Sequence, residues 1–161
     1  RLQKYAESLG IRVSWRKHKP GDAGAMWVID AEGNKEIIMY TWPRQSKIML
    51  VLNLLHEISH ELSHIYNNRT LSKSVERAFS METENLSEHQ RKIIYETERD
   101  DAAYRLNIAY ELDLKIPKWK IQADIDLDVW GYYRFWKDGV HPSNIAYAEK
   151  KKELKEKYAT R

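Results

Sequence analysis

The feature that most constrains this chain is a helix whose polar side carries histidines and amides instead of lysines. Apolar residues recur with helical spacing through the stretch from Arg44 to Asn67, which predicts one long amphipathic helix. On a helical projection its polar side occupies a sector of about 100°. That side consists of Asn53, His56, Glu57, His60, His64 and Asn67. A solvated face is usually rich in Lys and Glu, so this face predicts the wall of a cleft.

Within that helix, residues 56–60 read His-Glu-Ile-Ser-His, the spacing H-E-x-x-H. Residues four apart lie one turn apart on the same face, so the imidazoles of His56 and His60 can converge on one zinc ion. Glu57 lies about 100° around the helix from His56, too far round to bind beside both histidines. It can accept a proton from a water that the ion activates. The spacing therefore predicts His56 and His60 as zinc ligands and Glu57 as the general base.

A second H-E-x-x-H overlaps the first, because residues 60–64 read His-Glu-Leu-Ser-His. Its glutamate, Glu61, falls nearer the aliphatic side of the helix, and the second pair lies closer to the helix end. The first pair is therefore favoured. His56 and His64 are separated by about 12 Å along the helix axis, so one ion does not easily bind all three histidines. His64 is predicted to line the cleft or to have a structural role.

The third ligand must be sought elsewhere. The chain has no cysteine, so zinc would be held by histidine and carboxylate groups. A second long helix is predicted from about Ser87, whose spacing to Gln90 is that of a capping box, to about Leu114. Its acidic residues lie beside small residues, which would let two helices approach closely. They are Glu96, Glu98, Asp100 and Asp101, next to Ala102 and Ala103.

Glu98 is the favoured third ligand because it shares a face with Asp101 and Arg105. Glu96 is the main rival, since Asp100 one turn later could support a ligand histidine. His141, in a turn before the final helix, is a weaker alternative. A solvated acidic patch is the competing interpretation for any one of these carboxylates.

The rest of the chain predicts a single α+β domain over residues 1–161. The sequence has no internal repeat or low-complexity linker, and residues 68–86 have no clear pattern. The aromatic region from Trp119 to Trp136 cannot be assigned. The predicted elements are a helix at Leu2–Leu9, strands at Ile11–Trp15, Met26–Asp30 and Glu36–Thr41, and a final helix at about Ser143–Tyr158. The last two strands are predicted to form a hairpin.

Charge and hydropathy narrow the function classes. The net charge is +3 and the hydrophobic fraction 42%, which are ordinary for a soluble protein. The most apolar run, Ile48–Leu55, is interrupted by Asn53, so no membrane span is predicted. The sequence disfavours nucleic-acid binding, because aspartates interleave with the basic residues of the aromatic region and would repel phosphates. The lack of cysteine fits a reducing compartment, and a cytoplasmic location is expected.

The motif helix and the second helix together resemble the ImmA/IrrE family of zinc metallopeptidases of bacteria and their phages. The matching residues are Leu54–His64, Glu98–Leu112 and Ile116-Pro117, within about 36–117, although Ser59 replaces the family's usual glycine. The resemblance implies a zincin-like fold, in which the small three-stranded sheet packs on the motif helix, with a core of about 11–117. It also implies peptide hydrolysis, Zn²⁺ held by His56, His60 and Glu98, and Glu57 as the base. The predicted strand Glu36–Thr41 would be the edge strand that pairs with a peptide substrate.

Two further expectations concern the remaining residues. Tyr40 or His141 could stabilise the negative charge that develops during hydrolysis, and the sequence does not choose between them. Residues 118–161 form an extension with no counterpart in that family. Its aromatic residues could fill a second core layer. Alternatively, they could be the working surface of a binding or regulatory protein on an inactive zincin scaffold.

Overall fold

The computed structural model describes residues 1–19, 24–66 and 86–159, except for the side chains of residues 64, 66 and 159. The elements in this part of the chain are α1 (Leu2–Ser8), β1 (Ile11–Lys17), β2 (Ala25–Ile29), β3 (Lys35–Thr41), α2 (Lys47–Tyr66), α3 (Glu88–Glu111), α4 (Lys118–Asp138) and α5 (Asn144–Ala159). The predicted α+β class is confirmed. The unassigned segment 68–86 lies outside the described residues, apart from Leu86.

The three strands form one sheet with the order β1-β3-β2. The predicted hairpin is confirmed, because β2 runs antiparallel to β3, pairing Ala25 with Met39. In the connecting turn, the carboxylate of Asp30 accepts hydrogen bonds from the backbone of Glu32 and Asn34. Gly33 adopts a φ of 85°, a left-handed conformation that favours glycine.

The prediction that Glu36–Thr41 is an edge strand is wrong. The strand β3 is central, because β1 pairs with its other side in parallel, with Val13 opposite Ile37. The alternation within one strand reports which face is buried, and carries no information about which strands lie on either side. Among the described residues, the edges of the sheet are therefore β1 and β2.

The inner face of the sheet packs on the apolar side of α2. Ile37 and Met39 of β3 are fully buried, and so are Leu55 and Ile58 of α2. They belong to one continuous core that also includes Ile108 of α3. Because this packing fixes the apolar side of α2, the opposite side, with His56 and His60, is directed away from the sheet's core.

The helix α3 packs against both α2 and α4. Its predicted capping box is present: the Ser87 hydroxyl accepts a hydrogen bond from the Gln90 amide, and the Gln90 side chain accepts one from the Ser87 amide. Ser143 likewise accepts a hydrogen bond from the Ala146 amide at the start of α5. None of the helices in the described part of the chain combines the length and apolarity needed to cross a bilayer.

The aromatic region that the sequence left unassigned is the helix α4. It begins after Pro117 and ends at Gly139, whose φ of 79° gives a left-handed C-cap. Its buried residues include Ile121, Ile125 and Phe135. Phe135 packs with Leu86 and Ile94 in a second, smaller core. Part of the aromatic region therefore fills a second core layer, as one of the two interpretations predicted.

Close packing between α4 and α5 depends on Gly131. A Cβ at this buried position would lie 2.8 Å from Cζ of Tyr147 on α5. We expect Gly131→Ala to lower the free energy of unfolding by about 1–3 kcal/mol despite the better helix propensity of alanine. Urea denaturation measures the change. Because the clash needs the phenol ring, the loss should be smaller when Tyr147→Ala is already present; an equal loss in both backgrounds would contradict this account.

Candidate metal centre

The helices α2 and α3 bring His56, His60 and Glu98 together. One potential ligand atom from each residue lies within 4.8 Å of the other two. The carboxylate oxygen Oε2 of Glu98 is 3.6 Å from Nε2 of His56 and 3.9 Å from Nε2 of His60. The three residues favoured from the sequence therefore lie around one point, with Glu98 almost completely buried.

The Oε2 atom of Glu98 is buried, and no hydrogen-bond donor in the described part of the chain satisfies it. A buried carboxylate oxygen without a donor is costly. A cation between this oxygen and the two Nε2 atoms would remove that cost. Two imidazole nitrogens and one carboxylate oxygen form a ligand set that zinc uses in catalytic sites, where a fourth position stays open for water. The residues therefore fit a zinc ion.

Each histidine is oriented by a carboxylate on its other ring nitrogen. Nδ1 of His60 is 2.7 Å from Asp101 Oδ2, and Nδ1 of His56 is 3.1 Å from Asp128 Oδ2. Such contacts fix the ring orientation and make the opposite nitrogen a better metal ligand. Both Nε2 atoms are thereby directed towards Glu98.

We expect Asp128→Asn to weaken zinc binding by about 10–100-fold, because a carboxylate that orients a ligand histidine contributes about this much to metal affinity. Competition with a chromogenic zinc chelator measures the affinity. The matched control is Asp138→Asn on the same helix, because Asp138 forms an exposed pair with Arg134. Equal zinc affinity in the two variants would show that Asp128 does not support a metal ligand.

Behind His56, the guanidinium of Arg105 is almost completely buried. Its Nη1 donates a hydrogen bond to Asp128 at 2.5 Å and lies 3.6 Å from Asp124, and its Nη2 contacts Nδ1 of His56. Burial opposes ionisation of Asp128, but the charge of Arg105 and the hydrogen bond with His56 hold its pKa well below the usual range. Burial and the charge of Asp128 raise the pKa of Asp124 to about 6.

The electrostatics of the cluster favour positive charge between the two histidines. Burial alone would lower the pKa of His60. The charges of Glu98 and Glu57, together with the hydrogen bond to Asp101, instead raise this pKa to about 9. The side chain of Glu57 is itself nearly buried. The negative charges of Glu98 and Glu57 would also attract a divalent cation.

A tyrosine that sequence reasoning did not assign to the site also lies here. The charge of Glu98 and burial raise the pKa of Tyr132 well above its ordinary value, with Asp128 and Glu57 contributing. The phenol also has a side-chain hydrogen-bond interaction with Glu98. No signal in the sequence placed Tyr132 here, because α4 was not assigned and its position relative to α2 and α3 is a tertiary property.

The rival third ligands are not part of the cluster. Glu96 pairs with Lys92 at 3.7 Å and Asp100 pairs with Arg99, both on the more exposed side of α3. His141 stacks on Phe135, with ring centroids 4.2 Å apart. None of the three belongs to the potential metal cluster found among the described residues.

Two other residues that the sequence singled out have partners of their own. Glu61 of the overlapping motif is fully buried and forms an ion pair with Lys35 at 2.5 Å, as its position near the aliphatic side of the helix suggested. The hydroxyl of Tyr40 lies 3.7 Å from the sulfur of Met26. The side chain of His64 lies outside the described residues, so its predicted role stays a prediction.

No family model matches the chain, and neither a curated protein nor a solved structure does. Membership of the ImmA/IrrE family therefore stays a prediction that rests on the motif residues. The geometry of the cluster is independent support for a metal site, but it does not by itself identify a family.

Proposed function

We propose that this protein is a zinc-dependent peptidase with Glu57 as its general base. The observation that carries the proposal is the convergence of two Nε2 atoms on the unsatisfied carboxylate oxygen of Glu98. Glu57 follows His56 directly in the chain, and its charge contributes to the raised pKa of His60. We infer that its carboxylate faces the same site. Zinc bound by such residues acidifies a water and polarises the carbonyl of a substrate.

In this proposal the chain's own groups move the proton and stabilise charge. Glu57 accepts a proton from the attacking water and passes it to the nitrogen of the leaving amine. Tyr132 replaces the earlier candidates Tyr40 and His141 as the donor to the developing oxyanion. A phenol hydroxyl is protonated at neutral pH, and the raised pKa of Tyr132 extends this to more alkaline pH, so the hydroxyl can donate a hydrogen bond.

The edge strand β2 is the surface on which we propose that an extended peptide binds. It forms one edge of the sheet, and its Trp27 ring centroid lies 6.4 Å from that of His60. A peptide that adds to a sheet edge forms backbone hydrogen bonds along it, which position one peptide bond independently of sequence. The sequence had suggested β3 as the strand that pairs with a peptide substrate, and we now assign this role to β2.

Metal removal tests the proposal. We expect a chelator to abolish cleavage of a mixture of unstructured peptides, and one equivalent of zinc to restore it. Mass spectrometry of the products measures cleavage, and peptides incubated with the metal-free protein are the control. Undiminished cleavage in the presence of a strong chelator, or no cleavage by protein shown to hold zinc, would contradict the proposed reaction.

The alternative is a binding protein on an inactive zincin scaffold, and one surface favours it. Trp136 stacks on Tyr95 with centroids 5.3 Å apart, and Lys137 lies 3.7 Å above its ring. Tyr133, packed edge-on against the same ring, is 42% exposed. Exposed aromatic residues are common anchors of interfaces. This function is favoured if zinc-loaded protein cleaves no peptide and all four metal positions prove to be filled by protein groups.

A further inference from the structure

A cavity of about 420 Å³ lies between α2, α4 and α5, towards the N-terminal ends of α2 and α4. Its walls are mainly aromatic and aliphatic. They include Trp42, Met49, Leu52, Trp119, Leu127 and Leu154. A volume of this size accommodates a large side chain, and apolar walls favour burial of an apolar one.

The cavity adjoins the proposed metal centre along both helices. Asn53, which lines it, precedes His56 by three residues on the polar side of α2, a rise of about 4.5 Å. Asp124, which also lines it, precedes Asp128 by one turn of α4 and lies 3.6 Å from Arg105. An extended chain advances about 3.3 Å per residue. Measured along the axis of α2, the wall of the cavity at Asn53 is therefore one to two residues of an extended peptide from His56.

The mouth of the cavity is positively charged. Lys120 of α4 and the lysines at 151 and 155 of α5 line it, and Asp124 is the single acidic residue among its lining side chains. Within the described part of the chain, these three lysines form no salt bridge, whereas Lys150 and Lys157 on α5 pair with Glu153 and Asp126. Asp124 lies 3.6 Å from Arg105 and is also influenced by the charge of Lys151. Three lysines against this one carboxylate leave the lining with a net positive charge, which attracts an anionic partner.

We propose that this cavity is a specificity pocket of the peptidase for a bulky apolar side chain flanked by acidic residues. The inference rests on the proposed function and names its substrate class. The apolar walls bury the side chain, and the lysines attract neighbouring carboxylates. The peptide's backbone continues from the pocket towards the metal centre.

The test measures binding without turnover. The zinc-loaded Glu57→Gln protein is titrated with three blocked heptapeptides by isothermal titration calorimetry. The first has a central Phe between two Glu residues, the second has Ala in place of Phe, and the third has Lys in place of both Glu residues. We expect the first to bind about tenfold or more tightly than the second, because burial of the ring contributes that much. The third should also bind more weakly than the first.

Matched substitutions separate the pocket from general electrostatics. Lys151→Glu should weaken binding of the Glu-containing probe about threefold to tenfold at low salt, whereas Lys152→Glu should leave the affinity for this probe nearly unchanged. Both residues lie on α5 and undergo the same charge change, but only Lys151 lines the cavity. Ala123→Leu, which narrows the cavity, should weaken binding of the Phe-containing probe more than binding of the Ala-containing probe.

Equal affinities for the three probes, equal effects of the two lysine substitutions, or no peptide binding would overturn the proposal. Dodecanoate binding in the cavity without peptide binding would assign it to a lipid and also overturn it. Incubating the wild-type protein with the same probes separates failure of the peptidase reaction from failure of the pocket. A probe that binds through Lys151 but is never cleaved contradicts the peptidase reaction alone, and cleavage with no preference for Phe contradicts the pocket alone.

Discussion

Glu57→Gln is expected to keep zinc bound and to lower peptide hydrolysis by about 10²–10⁴-fold. The glutamine side chain has nearly the same shape but cannot accept the proton of the attacking water, and a positioned general base contributes about this factor. Glu57 is not among the three residues whose ligand atoms converge, so the metal site itself should be preserved. Product formation from a cleaved peptide and the zinc content of the variant are the two measurements.

The control for this experiment is Glu96→Gln. It makes the same chemical change on an acidic residue that pairs with Lys92 outside the metal cluster. We expect its activity and zinc content to match the wild type. Full activity in Glu57→Gln would exclude this residue as the base, and loss of zinc from it would show that Glu57 contributes to metal binding instead.

Glu98→Gln is expected to remove most of the bound zinc, and with it all hydrolysis. A neutral amide oxygen is a poor substitute for the carboxylate whose Oε2 faces both Nε2 atoms. The loss of zinc affinity should exceed the factor of about 10–100 that is expected for Asp128→Asn, since Glu98 would contact the ion directly. Metal analysis after dialysis gives the zinc content, and competition with a chelator gives the affinity.

Thermal denaturation provides a second readout for Glu98→Gln. Zinc at about 100 times its dissociation constant should stabilise the wild-type protein by about 2.7 kcal/mol, because it binds only the folded state. The same zinc concentration should raise the melting temperature of Glu98→Gln far less, while Glu96→Gln should respond as the wild type does. An undiminished zinc response in Glu98→Gln would remove this residue from the site.

The parts of the site that the sequence predicted are those within single helices. The spacing of His56 and His60 determines that they share a face, and the aliphatic residues of α2 determine that this face is turned away from the core. Glu98, Asp101 and Arg105 share a face of α3 by the same periodicity, and all three are buried. Local turn and cap chemistry also predicted the hairpin between β2 and β3 and the start of α3 at Ser87.

The parts that were missed depend on how elements meet. The strand order places β3 in the centre, and no pattern within β3 distinguishes a central strand from an edge strand. The helix α4 could not be assigned from the sequence because Asp124 and Asp128 interrupt its apolar periodicity. These acidic residues are partly buried, since they face Arg105 and His56 across the helix interfaces. Their pairing, and the approach of Tyr132 to Glu98, arise only when three helices pack together.

The most direct test of the central claim is an anomalous-scattering map, recorded at the zinc absorption edge from crystals of the purified protein. The account predicts one peak at roughly 2.0–2.2 Å from Nε2 of His56, Nε2 of His60 and a carboxylate oxygen of Glu98, with the fourth position taken by water. A map with no peak between these residues would contradict the account, and so would a zinc ion held by four protein groups.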